Sequence, residues 1–350
     1  MQDLQFEIEP VIDFLVELLN TPSPTGYHSE AIAFVENRFA ALAIPGLSLR
    51  RTPKGALVLT WPGAQDTVPR GLTAHIDTLG LMVKEIKSNG RLKLTMLGGY
   101  MWNAIEFEGV TIQTQNGARY RGTVVPVKAS VHIHRDAPDA PRNADTMEIR
   151  LDARVSNADD TRQLGIEVGD FVFLDPRVEI TGTGFVRSRH LDDKAGVAAI
   201  YAAFRALRAA DTRPAQPVTT VIANYEETGH GASAGFPEDL RELVAVDMAA
   251  VGEGQNSDEF SVGICVKDAG GPYHAGLTHK LRTLADEAGI PYKPDIYPYY
   301  ASDGEAYWRA GGAAQVALIG PGVDASHAYE RTHHDSLIHT AHLIARYLLS

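Results

Sequence analysis

The sequence predicts an α/β fold: a mostly parallel central sheet with helices on both faces, interrupted by a small all-β barrel. Three observations carry that expectation. Apolar, β-branched runs such as VTTVIANYE (218–226) and LVAVDMAAVG (243–252) read as buried parallel strands. They alternate with helical patterns, of which AGVAAIYAAFRALRAA (195–210) is the strongest, and that alternation implies a parallel sheet. From about residue 80 to residue 180 the helical signal fades and short alternating strands take over.

The elements follow in order. EIEPVIDFLVELLN (7–20) carries apolar residues at helical spacing. TPSPTGYHSE (21–30) breaks that helix, and SEAIAFVENRFAAL (29–42) resumes the pattern with Ser29 as the expected N-cap. LSLRRT, GALVLTWPG and RGLTAHIDT are short strands. LGLMVKEIKSNGRLKLTMLGG (79–99) is a hairpin turning at Asn89-Gly90, and AIEFEGVTIQTQNGARYRGTVVPV (104–127) is a second, turning at Asn116-Gly117. MEIRLDARV, EVGDFVFLDP and VEITGTGFVRSRH add strands, with one short helix at NADDTRQLG and a loop at PDAPRNAD. Beyond Arg189, EFSVGICV and AAQVALIGPG read as buried strands like those above, and THKLRTLADEAG and IHTAHLIARYLL as helices. The expected organisation is therefore one α/β domain from residues 1–80 and 181–350, with a β-barrel domain inserted at 81–180 as a lid or an oligomerisation module.

Composition excludes several classes of function. The 44 acidic and 32 basic residues leave a net charge of −12, which argues against nucleic acid as a partner. Cys265 is the single cysteine, so no disulfide forms within the chain, in keeping with a reducing compartment. MQDLQFEIEP lacks the basic start and apolar run of a secretory signal, and no run of ~18 apolar residues predicts a membrane span. A cytoplasmic protein with no membrane partner is expected.

Chemistry-bearing residues stand at the ends of apolar runs, where an open α/β sheet places its ligands. His75 and Asp77, at i and i+2, face the same way from a strand, so one can bind a metal while the other orients it. Asp192, in LDDKAG, lies at a strand-to-helix junction suited to a bridging carboxylate. Glu226 and Glu227 sit side by side after a buried strand, where two bare carboxylates repel and a metal relieves them. The expected division is Glu227 as ligand and Glu226 as general base. Asp247 closes another buried strand. In GPGVDASHAYERTHHD the residues alone leave His327, His333 and His334 open as the last ligand. Mixed imidazole and carboxylate donors suit two divalent ions, Zn, Co or Mn, and such a pair beside a free carboxylate activates water.

The order HxD, DD, EE, D, H resembles the dinuclear zinc-type exopeptidases, and more narrowly the glutamyl-aminopeptidase and tetrahedral aminopeptidase family. The resemblance covers nearly the whole chain, through TAHIDTLGLMV, GIEVGDFVFLD, RHLDDKAGV, NYEETGHGA, AVDMAA and SDGEAYWRAGGAAQVALIGPGVDASH. It implies that His75 and Asp247 serve one metal, Glu227 and His327 the other, and that Asp192 bridges them. It also implies that Glu226 is the base, that Asp77 orients His75 and that Asp303 lies near the free amine of a peptide substrate. For the assembly it implies dimers, and dodecamers built from them. Lys194 stands where that family usually has arginine, and His230 where it has an aliphatic residue, so His230 and Tyr329 are read as marks of substrate choice. ASHAYERTHHDSL resembles a branch associated with osmoprotectant dipeptides. The alternatives are a metal-dependent amidase, deacylase or dipeptidase acting on such a small substrate, and a catalytically dead binding scaffold.

Overall fold

The structure is a computed structural model that describes residues 4–350, so the first three residues of the acidic N-terminal stretch lie outside it. Four adjacent strands run parallel at the centre of a twelve-stranded sheet, in the order Val218–Ala223, Arg70–His75, Glu242–Val246 and Gln315–Asp324. Their registers pair Ala223 with His75 and Val246 with Ile319, so the four carboxyl ends open on the same edge. Leu57–Trp61 and Ser48–Arg51 extend one side in antiparallel fashion. Glu330–His333, Phe185–Ser188 and Glu179–Ile180 extend the other.

Both faces of the central strands are apolar because both are covered. Alternate side chains point to opposite faces. Val244 and Val246 enter the large core built with helices Ile8–Leu19, Ser29–Ala41, Leu191–Ala209, Ala275–Ala288 and His334–Leu349. Leu243 and Ala245 enter a second core on the other side, against Trp308 of the short helix Asp303–Arg309. Among the described residues no helix is long and apolar enough to cross a membrane.

Six strands between Gly80 and Leu174 close into a separate antiparallel barrel, in the order Gly80–Ile86, Leu92–Leu97, Met147–Leu151, Arg119–Pro126, Gly109–Gln113 and Phe171–Leu174. Gly90 and Gly117 hold φ of +81° and +89°, the left-handed values that the two Asn-Gly turns require. The barrel encloses its own apolar core, including Leu92, Val110, Val124, Ile149 and Val172. The expected short helix forms at Ala158–Gln163, where the Asn157 side chain accepts from Asp160 N.

Two expectations need correction. The second helix begins at Ser29, and its N-cap is His28, whose carbonyl accepts the first helical bond from Ile32 N at 2.9 Å. The run EFSVGICV gives Val262–Lys267, which pairs antiparallel with Gln315–Asp324 and parallel with Tyr292–Ile296. An apolar β-branched run reports burial on both faces, and direction is set by the connections.

Candidate metal centre

Each residue of the centre is delivered where a strand ends or breaks, or where a helix begins or a loop turns, at the open edge of the sheet. His75 ends Arg70–His75, Asp247 follows Glu242–Val246, and Glu226-Glu227 occupy a single 3-10 turn after Val218–Ala223, between Tyr225 at φ +65° and Gly229 at φ +80°. Asp192 and Asp193 open helix Leu191–Ala209 with non-helical dihedrals, after His190 in the left-handed region. His327, at φ +65°, sits in the loop between Gln315–Asp324 and Glu330–His333.

Asp192 lies between the two imidazoles. Its Oδ1 is 3.2 Å from His75 Nε2 and its Oδ2 is 3.2 Å from His327 Nε2. Around His75 Nε2 stand Glu226 Oε2 at 3.8 Å and Asp247 Oδ1 at 4.0 Å. Glu227 Oε2 is 3.5 Å from His327 Nε2. Backbone carbonyls fix both rings. Nδ1–H of His75 donates to Asp77 O at 2.8 Å, and Nδ1–H of His327 donates to Gly99 O at 2.6 Å. A carbonyl can only accept, so Nδ1 carries a hydrogen in both rings, and Nε2, which faces the carboxylates, is the nitrogen left to bind a metal once its own proton is displaced.

The electrostatics describe a site built for cations. Burial, reinforced by Asp247 and Asp303 and opposed by His75, pushes Glu226 well above the ordinary carboxylate range. Burial and the charge of Asp192 push Glu227 up to about 8 and Glu330 up to about 8, and the same two effects raise Asp247 to about 7. Burial disfavours imidazolium at both histidines, yet hydrogen bonding to Asp192 and the neighbouring carboxylates outweigh it. They raise His75 well above its usual range and His327 to about 11. Buried Asp192, held by both rings, is lowered. Glu227 Oε1 is buried with no hydrogen-bond partner. Crowded carboxylates that resist ionisation, imidazole Nε2 atoms aimed among them and an orphaned carboxylate oxygen fit a pair of divalent cations. The sets His75, Asp192, Glu227 and His75, Asp193, Asp247 each bring three donor atoms within 4.8 Å of one another.

Other residues singled out in the sequence have different surroundings. The Asp77 carboxylate, fully buried, accepts from Thr25 Oγ1 at 2.7 Å, Glu226 N at 3.1 Å and Glu227 N at 3.4 Å. It therefore braces the Glu-Glu turn, while the Asp77 carbonyl orients His75. Asp303 accepts from Ala232 N at 2.8 Å and Thr73 Oγ1 at 3.1 Å, tying the loop after the Glu-Glu turn to the sheet. His230 is exposed, and its carbonyl accepts from Lys54. The Tyr329 hydroxyl donates to Arg177 O at 2.8 Å, and its ring lies 4.3 Å under the Arg177 guanidinium. His333 caps helix His334–Leu349 by accepting from Asp335 N. Sequence reasoning passed over Asp193, which accepts from His75 N at 3.2 Å and Gly196 N at 3.1 Å, and so spends its oxygens on local backbone. It also passed over Glu330 and over an aromatic wall of Tyr297, Tyr299 and Tyr300. That wall joins Asp192, Glu226, Glu227, Asp247 and His327 in lining a cavity of about 800 Å³.

Comparison with known proteins gives a consistent result. A family model described as M42 glutamyl aminopeptidase matches residues 55–343. YhfE of Bacillus subtilis (strain 168), which carries the name of an aminopeptidase, is 47% identical over 343 residues, covering 98% of each chain. Among solved structures, a TET aminopeptidase from the marine sediment archaeon Thaumarchaeota archaeon SCGC AB-539-E09 superposes with a TM-score of 0.87 at 16% identity, over 97% of each chain. The Pyrococcus horikoshii TET1 peptidase, which can assemble into a tetrahedron or a large octahedral shell, superposes with a TM-score of 0.82 at 19% identity, over 97% of this chain and 99% of that one.

Proposed function

The chain belongs to the M42 glutamyl aminopeptidase family, and from that premise we propose that it removes N-terminal residues from peptides with Glu226 as general base at a two-metal centre. The observation that carries this reading is Asp192, with one carboxylate oxygen 3.2 Å from each of two imidazoles. His75 and Asp247 would hold one cation, Glu227 and His327 the other, and Asp192 would be shared. The donors suit Zn, Co or Mn. Bound there, the cations would supply Lewis-acid polarisation of the scissile carbonyl and would lower the pKa of water.

The chain's own residues supply the proton path. Glu226 takes a proton from the attacking water as its oxygen bonds to the carbonyl carbon. The same carboxyl then delivers the proton to the amide nitrogen as the C–N bond breaks, and the free amine leaves. Asp77 holds the backbone of the turn that aims Glu226. The aromatic wall of Tyr297, Tyr299 and Tyr300 borders the space beside the cluster, where the substrate's N-terminal residue would lie. A cytoplasmic setting, a barrel module spanning 81–180 and assembly into dimers or larger shells belong to the same proposal.

The test compares aminoacyl amides and short peptides with their N-acetylated forms. Cleavage confined to the free-amine substrates is expected. Equal or faster cleavage of acetylated substrates would instead identify a deacylase.

A further inference from the structure

Glu330 lies outside the ligand set, yet it is only 2% exposed, and each of its carboxylate oxygens receives a backbone N–H from a different ligand-bearing residue. Oε2 accepts from Asp192 N at 3.2 Å, and Oε1 accepts from His327 N at 3.0 Å. The two residues so clamped are the pair whose side chains meet, Asp192 Oδ2 lying 3.2 Å from His327 Nε2. His327 holds φ +65°, a region disfavoured for a residue with a β-carbon, so its loop needs external support. Glu330 supplies that support at the amide, and Gly99 O supplies it at the ring. The other half of the centre is held without Glu330. His75 is fixed by Asp193 Oδ2 on its amide and Asp77 O on its ring, and Asp247 Oδ1 accepts from Met248 N at 2.7 Å.

We propose that Glu330 is a positioning residue that sets the spacing of Asp192 and His327. The cation held by Glu227 and His327 then depends on it more than the cation held by His75 and Asp247. The inference rests on the two-metal reading. A bland account, in which Glu330 only anchors the last strand, predicts that its loss weakens the whole fold and both cations together. The bidentate grip on two ligand backbones predicts a selective effect.

Metal-free wild type and Glu330→Gln are titrated with cobalt(II), followed by calorimetry and visible absorption. The glutamine keeps one acceptor oxygen and turns an N–H₂ toward the other backbone N–H. Wild type should bind two equivalents. The variant should keep one at wild-type affinity and bind the other roughly ten- to hundredfold more weakly. His327→Ala should reproduce the pattern, and Asp247→Asn should weaken the opposite equivalent. If Glu330→Gln does not fold, Glu330→Asp, which keeps the charge but draws the oxygens back by one methylene, should show the same selective weakening. Two unaltered equivalents, or equal weakening of both, overturns the proposal. A wild type that binds no cobalt would instead remove the two-metal reading itself.

Discussion

Replacing Asp77 by asparagine separates two roles that the sequence runs together. The carboxylate accepts three hydrogen bonds in full burial, from Thr25 Oγ1 and from the amides of Glu226 and Glu227, whereas His75 is oriented by the Asp77 carbonyl. Asparagine preserves shape and that carbonyl. In either amide orientation one N–H₂ faces a backbone N–H donor, and the charge assistance is lost. A hydrogen bond to a charged group contributes about 1.5–3 kcal/mol. With one bond replaced by a donor–donor contact and the remainder weakened, the expected loss of stability is about 2–4 kcal/mol. For a chain of this size that is roughly 3–5 °C in Tm. Displacement of the turn should lower kcat by about a hundredfold, the scale of an ångström misplacement of a reacting group. Calorimetry, steady-state kinetics and cobalt titration read the three consequences. The cation on the Glu227 side should weaken while the His75 side is spared. Selective loss of the His75-side cation, or an unchanged Tm and kcat, refutes the reasoning.

Two further outcomes follow from the same geometry. In metal-free protein, Glu226, Glu227, Asp247 and Glu330 have raised folded pKa values, so above their unfolded values near 4 the native state binds more protons than the unfolded chain. Raised His75 and His327 act in the same direction above pH ~6.5. Stability of the metal-free form should therefore fall as pH rises from about 5 to 8, and saturating zinc should flatten that slope in a Tm series. A flat metal-free profile contradicts the charge accounting. A β-carbon on Gly231 would stand 1.5 Å from Asp303 Oδ1, so Gly231→Ala should release the tie between Asp303 and Ala232. The cost should be about 1–3 kcal/mol in chemical denaturation, and an unchanged midpoint would show that the loop yields freely.

What the sequence makes legible here is position along strands, and what it hides is connection between them. His75, Glu226 and Asp247 each follow a run buried on both faces, and parallel register alone carries such ends to one edge. The two Asn-Gly pairs announce the hairpins of the barrel because each three-residue loop needs a left-handed residue at its end, and Gly90 and Gly117 supply it. Strand direction is not written in composition, which is why Val262–Lys267 runs opposite to expectation against Gln315–Asp324. The Tyr292–Ile296 edge strand escapes notice because Pro294 interrupts its pattern. Glu330 reads as one more charge in AYERTHHD until the fold brings Asp192 N against it. Gly99 acts through its carbonyl, a group every residue has, so no side-chain pattern could signal it. His327 is the instructive case. The residues alone leave three histidines open, and the structure puts its Nε2 beside Asp192 and Glu227 while His333 caps a helix.

The central claim is that two cations and the carboxylate of Glu226 divide the work at one site. Its most direct test is the metal content and peptidase rate of wild type and Glu226→Gln, purified and loaded identically with zinc. Two metals per chain in both proteins, with the variant's kcat lower by roughly 10²–10⁴-fold, is the predicted result. A variant that keeps its metals and cleaves at the wild-type rate would contradict the assignment of the base, and a wild type fully active with no metal would contradict the centre.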